Sequence, residues 1–415
     1  MKSSGLEINE NHVRRVFAFT DEVVEQYPNR LAGTEACRDA ANRLKSEFIK
    51  NCDPGSVQVE EFTVHPKSFL KYIPGLVVLY IISSILLYFQ FPLPAFIGYS
   101  LAIFVFYSQF VRYWEVLDPL FPKATGCNVF GTIEPEGEVR QQVIVSAHHD
   151  AAYVFQLIAR VPKYYARFIT GGILFLVLGF LVSLVGAILT IFHISLPGWI
   201  PLVLIAGSLL LLPLAFFTTG QVSPAAGDNM VAVAIASETA KLFRDAKQAG
   251  ANPLRHTRLM VASFDAEEAG LRGARAFCQK HGEELLRTKT YVLNIDTLYK
   301  VKDLSFLDKD LNASVKLSHE LAQDCADIAK SLGYPAKTSA MPFGGGSTDA
   351  AEFGKMRVEA TTLVGISFDI SQFREGLVYH TPNDLSKYIE PELVEAALKI
   401  VRDYVLKKDS ESCGT

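Results

Sequence analysis

His148, Asp228, Glu268, Asp296 and His380 are side chains of the kinds that bind divalent metals, and Glu267 stands directly beside the third of them. Four of the five end or follow apolar, strand-like runs or short turn sequences. An open α/β sheet presents ligands at just such places, along the carboxyl edge of its strands. Zinc takes nitrogen and oxygen ligands and lowers the pKa of a bound water. A mixed set of histidines and carboxylates with one spare glutamate therefore suits two hydrolytic zinc ions.

Each member also has a plainer explanation. His148 and Asp150 form an H-x-D pair closing the apolar run QVIVSAH (142–148). Strand side chains repeat every two residues, so both point to one side. The histidine can then bind a metal through one ring nitrogen while the aspartate accepts the N–H of the other. A lone strand-end histidine is more often structural. Asp228 follows Pro224-Ala225-Ala226-Gly227 and opens a helix, where aspartate is also a good N-cap; alternatively its two oxygens bridge two cations. Glu267 and Glu268 stand where TRLMVASF (257–264) meets a helix. Acidic residues in a first turn favour the helix dipole, but that gives no reason for a buried strand to deliver both. Asp296 ends YVLNID (291–296), where an unpaired carboxylate is costly and a metal or an arginine relieves it. Tyr379-His380 lies in a turn-rich stretch ending Thr381-Pro382-Asn383-Asp384 and gains weight only from its companions.

The elements needed to position these residues alternate between strand and helix. Amphipathic helices are expected near 9–27 and 34–51, then a strand at 57–64. Residues 126–135 and 142–148 read as a β-hairpin with Glu136-Gly137-Glu138 in its turn. Residues 230–247 have helical spacing, 257–264 and 291–296 read as buried strands, and a helix is expected near 311–332. The strand 359–367 and a helix near 391–408 close the pattern. Alternation of this kind argues for a three-layer αβα sandwich on a mixed, mostly parallel sheet.

The composition of the 415 residues is 49% apolar, and the excess is concentrated in two tracts. Residues 72–111 and 168–227 contain no Asp, Glu, Lys or Arg. A bilayer-spanning helix needs about 20 apolar residues, so each tract has room for a helical hairpin. Pro92 and Pro94 break the first, Pro197 and Gly198 the second. Four spans are expected, near 71–90, 94–112, 168–192 and 198–217, with buried helices of a large soluble core as the alternative. The predicted division is a discontinuous catalytic domain (1–67, 113–165 and 219–415) carrying transmembrane hairpins at 68–112 and 166–218.

The first 15 residues hold no signal-peptide core. Lys67, Lys71, Arg112, Arg160, Lys163 and Arg167 flank the spans on one side, while the short turns on the other lack Lys and Arg. Catalytic body and both termini are thus expected in the cytoplasm, as parts of an integral membrane protein contacting lipid through four helices. Six cysteines without framework spacing fit reduced, mostly buried thiols. A net charge of −4 gives no indication of nucleic-acid binding.

Taken in order, these motifs resemble metallopeptidase family 28, the di-zinc aminopeptidase family with its aminopeptidase S, aminopeptidase Y and glutamate carboxypeptidase relatives. The resemblance is carried by H-x-D, Asp-Asn after Gly, Glu-Glu-x-Gly-Leu-x-Gly, a strand ending in Asp, Tyr-His-Thr-Pro-x-Asp, and Asn29-Arg30-Leu31-Ala32-Gly33-Thr34 near the start. It implies that His148 and Asp296 bind one zinc, Glu268 and His380 the other, and that Asp228 bridges them. Glu267 would be the general base, Asp150 would orient His148, and Tyr379 would hydrogen-bond the oxyanion. The implied reaction is removal of N-terminal residues from peptides by zinc-activated water. Two departures stand out. Family members often carry Ser-Asp-His upstream of the last histidine, whereas here Asp349 is kept in Gly344-Gly345-Gly346-Ser347-Thr348-Asp349-Ala350 and the histidine is missing. The 80 positions separating His148 from Asp228 also replace a short loop of the soluble relatives.

Other functions fit less well. Acyl-transfer relatives such as glutaminyl cyclase-like or transamidase-like enzymes tend to lose ligands, and a non-catalytic membrane scaffold would not need Glu267. A transporter is disfavoured because the apolar tracts hold no Asp, Glu, Lys or Arg.

Overall fold

The computed structural model describes residues 6–250, 252–368 and 377–413. Eleven strands are present among them: β1 (Gln58–Val64), β2 (Ala124–Ile133), β3 (Gln141–His148), β4 (Tyr153–Phe155), β5 (Thr218–Val222), β6 (Thr257–Phe264), β7 (Lys289–Leu298), β8 (Leu304–Asp310), β9 (Val315–Lys316), β10 (Lys337–Ala340) and β11 (Glu359–Gly365). The helices are α1 (Glu10–Gln26), α2 (Glu35–Asn51), α3 (Ile73–Tyr88), α4 (Pro92–Phe106), α5 (Gln156–Arg160), α6 (Tyr165–Ile191), α7 (Trp199–Leu211), α8 (Val231–Gln248), α9 (Arg272–Arg287), α10 (His319–Ser331), α11 (Ala350–Lys355) and α12 (Pro391–Ser412).

The main sheet runs β1-β2-β6-β3-β7-β11-β8-β10, with β9 on β8. Its centre is parallel: β3 pairs in parallel with both β6 and β7, and β7 in parallel with β11. Every residue of β3 is buried, as expected of a strand covered on both faces. Alternate β3 side chains face opposite layers. Val143, Val145 and Ala147 pack with α1, α2, α8 and α12, whereas Ile144 packs with Phe277 of α9 and Phe353 of α11. This is the mixed, mostly parallel αβα sandwich expected from the alternation.

Two local expectations need correction. β2 and β3 do not form a hairpin, because β6 lies between them, antiparallel to β2 and parallel to β3. The connection past Glu136 is bound to the segment entering β6: the N–H groups of Glu136 and Gly137 donate to the carbonyls of Leu254 and Arg255. A strand buried at every residue requires a neighbour on each side, and β6 and β7 fill those places. The helix expected from 311 begins only at His319, where the Ser318 side chain caps it by accepting from Leu321 N–H. Strands β8 and β9 occupy the residues before it.

The apolar tracts form helices in all four expected places, but only three are long enough to cross a membrane: Pro92–Val111, Pro162–Ile191 and Trp199–Phe216. The first, α3, has 16 residues, about 24 Å at 1.5 Å per residue, short of the roughly 30 Å of a hydrocarbon core. The four helices share a core of their own around Tyr80, Tyr99, Leu176 and Leu204. Tyr80 donates to the Leu204 carbonyl at 2.7 Å, and Gly179 lets α6 approach the Tyr99 ring closely. Outward they expose Ile82, Ile97, Leu101, Leu174, Leu181 and Leu209.

The second apolar pair grows out of a two-stranded base. β4 and β5 pair antiparallel, with Tyr153 opposite Val222 and Phe155 opposite Thr218. This ribbon brings the two ends of the long interval back together just after His148 and just before Asp228.

Candidate metal centre

Parallel β3, β6, β7 and β11 end on one edge of the sheet, and that edge collects the ligand set. His148 is the last residue of β3, Glu267 and Glu268 follow β6, Asp296 lies near the end of β7, and His380 follows β11. Asp228 arrives from the turn ahead of α8. Four of these deliveries use a non-glycine residue in the left-handed region: Ala225, Ala266, Thr297 and His380 itself. Strained backbone of this sort persists where surrounding structure over-determines it, commonly at functional sites.

Asp228 is central. Its Oδ1 lies 3.2 Å from His148 Nε2 and its Oδ2 lies 2.9 Å from His380 Nε2. Asp296 Oδ1 is 3.8 Å from the same nitrogen of His148, and Glu268 Oε1 is 3.0 Å from that of His380. Two ligand clusters thus share one aspartate: His148, Asp228 and Asp296 on one side, Asp228, Glu268 and His380 on the other. Glu267 Oε2 stands 3.9 Å from His148 Nε2.

Each cluster could hold a metal ion. Asp150, Asp228, Glu267, Asp296 and Asp349 are buried, with Glu268 close to it, and none forms an ion pair with a Lys or Arg among the described residues. Buried carboxylates are normally paired or bound to metal. Although Asp228 Oδ2 lies so close to His380, it has no hydrogen-bond partner among the described residues, and neither has His380 Nδ1.

The charge states tell the same story. Burial pushes the Glu268 carboxyl up to about 7 and raises that of Glu267 well above the usual range. Burial opposes protonation of His380, yet Glu268 and Asp228 outweigh it and raise this imidazole to about 10. For His148 burial is likewise outweighed, here by Asp150, Asp228 and Asp296. Protons on the histidines stand where cations would relieve the same negative charge.

Supporting contacts fix the ligands from behind. The two Asp150 carboxylate oxygens accept the N–H groups of Glu267 and Glu268, each at 3.1 Å. His148 Nδ1 lies 3.2 Å from the Asp150 carbonyl oxygen and 3.4 Å from Oδ1. Tyr379 stacks on the His380 ring, with centroids 3.8 Å apart, and burial raises its hydroxyl well above the usual tyrosine value. Phe155, at the base of the second apolar pair, meets His380 edge-on at 4.2 Å.

Some contributors carried little sequence signal. Asp384 accepts the N–H groups of Gly227 at 2.8 Å and Asp228 at 3.3 Å; only its place in the Thr-Pro-Asn-Asp text hinted at a role. Arg30 is buried and donates to the carbonyls of His149, Pro224 and Ala225, tying β3 to the Asp228 turn. Asp349 is fully buried, and neither of its oxygens has a partner among the described residues.

Residues 212–405 match the family model described as peptidase family M28. This segment contains Asp228, Glu267, Glu268, Asp296 and His380, while His148 and Asp150 lie upstream of it. Solved structures share the fold along nearly the whole chain. A Zn-dependent exopeptidase from Parabacteroides distasonis matches at a TM-score of 0.54 and 12% identity, over 96% of this chain and 99% of that one. The Legionella pneumophila LapA aminopeptidase matches at 0.52 and 14% identity, over 99% and 78%. A glutaminyl cyclase from an Acidobacteriales bacterium matches at 0.55 and 14% identity, over 98% and 97%. No curated protein matches the chain in sequence. Over residues 212–405 the chain is thus similar to peptidase family M28, and its fold is zinc aminopeptidase-like.

Proposed function

We propose that the chain is a membrane-anchored di-zinc aminopeptidase that removes N-terminal residues from peptides. The observation carrying this reading is the divided aspartate: each Asp228 oxygen faces a different histidine, and each histidine has a further carboxylate beside it. His148 and Asp296 would hold one ion, Glu268 and His380 the other, with Asp228 between them. Bound there, two zinc ions supply an acidified water and a polarised scissile carbonyl. Glu267, 3.9 Å from His148 Nε2, takes the proton of the attacking water and delivers it to the departing amine. Asp150 keeps Glu267 and Glu268 in register through their N–H groups, and Tyr379 stands beside His380 to donate to the oxyanion.

The apolar helices would anchor the body to a membrane with its charged face in the cytoplasm. The β4–β5 ribbon joins the second apolar pair to the segments beside His148 and Asp228, which supports a metal centre close to the bilayer surface and substrates that reach it beside the membrane. Surface labelling that found the metal centre far from the membrane plane in nanodiscs would contradict this placement.

The test is hydrolysis of a panel of aminoacyl and peptide substrates by zinc-loaded protein, set against Glu267→Gln. The substitution should lower kcat by about 10²–10⁴-fold while zinc content stays the same; equal rates would refute the base assignment. The glutaminyl cyclase match favours one second reading, an acyl-transfer reaction. Ammonia release from N-terminal glutaminyl peptides, without hydrolysis of the panel, would select it.

A further inference from the structure

A cleft of about 240 Å³ opens beside the metal centre, with Asp150 and Glu268 in its wall. Lys67, Lys71 and Lys123 line it as well. The first two come from the segment that joins β1 to α3, the third from the residues just ahead of β2. None of the three ammonium groups has a carboxylate within 4.0 Å among the described residues. Lys71 instead lies 5.1 Å from the Tyr153 ring. The wall's own acids are already engaged, Asp150 by the N–H groups of Glu267 and Glu268 and Glu268 by His380. The cleft therefore presents three ammonium groups without an ion-pair partner among the described residues, beside the candidate ligand Glu268.

That charge selects which end of a peptide can lie there. A free α-amino group would be repelled, whereas a carboxylate would be attracted. The volume is below the roughly 300–1,000 Å³ typical of pockets for drug-sized ligands, which leaves room for only one or two residues beyond the scissile bond. We propose that Lys67, Lys71 and Lys123 receive the C-terminal carboxylate of the substrate, so that the enzyme acts on di- and tripeptides with a free C-terminus. This rests on the peptidase reading above and adds its substrate class. Anionic lipid headgroups carry the same charge, and Lys71 lies just before the first apolar helix. The lysines line a cleft reaching a metal ligand, however, which favours the peptide.

The experiment measures calorimetric binding of trialanine and of trialanine amide to zinc-loaded Glu267→Gln protein in nanodiscs, and KM for both with the unsubstituted enzyme. Each exposed ion pair contributes up to about a fivefold effect, so the acid should bind about tenfold more tightly than the amide. The preference should shrink as salt rises. In K67Q/K71Q/K123Q the acid-to-amide ratio should fall to within about twofold, while K67R/K71R/K123R should keep it and so control for folding. Equal binding of acid and amide, or a preference that survives in the glutamine variant, overturns the proposal. So does a glutamine variant that loses only its affinity for phosphatidylserine vesicles. A tenfold binding preference without turnover by the unsubstituted enzyme supports the cleft assignment and refutes the peptidase reading instead.

Discussion

Replacing Asp384 by asparagine should loosen the metal centre without touching a ligand. Asp384 is buried, and its oxygens accept the N–H groups of Gly227 and Asp228 at 2.8 and 3.3 Å. Its own carbonyl oxygen accepts the Ala226 N–H at 3.2 Å. Three consecutive residues of the turn that carries the bridging aspartate are thus held by one side chain and its backbone. Asparagine keeps one acceptor oxygen but sets an NH₂ against the second N–H. A buried donor left unsatisfied costs about 1–3 kcal/mol. Removing the negative charge beside Asp228 offsets part of this, since burial and Asp228 already hold the Asp384 carboxyl up at about 7. Loss of such a supporting contact typically weakens metal binding about 10–100-fold, in line with that energy at 1.4 kcal/mol per tenfold. Zinc titration of the metal-free protein against a chromophoric chelator measures it. An affinity within about twofold of the unsubstituted chain would refute the claim that Asp384 positions Asp228.

Metal affinity should also rise with pH. His380 is raised to about 10 in the metal-free chain, so it is protonated at neutral pH and must give up that proton to bind. Zinc uptake in weak buffer at pH 7 should release at least one proton per chain; uptake without proton release would show the histidine to be neutral already. Gly273→Ala should destabilise the fold by about 1–3 kcal/mol or more. The added Cβ would collide with the Asp265 carbonyl and lie 2.5 Å from Asn128 Oδ1. An unchanged melting temperature would show that this packing can relax.

Much of the site was legible because its chemistry is carried by residue type at strand ends. Strand β3 ending in His148 and strand β7 carrying Asp296 follow from apolar runs that stop at a candidate ligand. What escaped was pairing across distance. Nothing local in 126–148 indicates that a strand more than 100 residues later inserts between β2 and β3. The helix start at His319 was misplaced because Leu311 to Leu317 has helix-compatible composition, whereas the Ser318 cap sets the boundary. Span α3 was overestimated because hydropathy counts residues, not the turns that end a helix. Arg30 and Asp384 act on backbone atoms supplied by other segments, and sequence holds no record of which carbonyl or N–H a side chain will meet.

The central claim is that Asp228 joins two metal sites, and metal content per chain tests it most directly. Elemental analysis of zinc-loaded protein should give two ions per chain. His148→Ala and His380→Ala should each retain one, and Asp228→Ala should lose both under the same dialysis. A single ion in the unsubstituted chain, or a content unchanged by Asp228→Ala, would contradict the shared-aspartate centre.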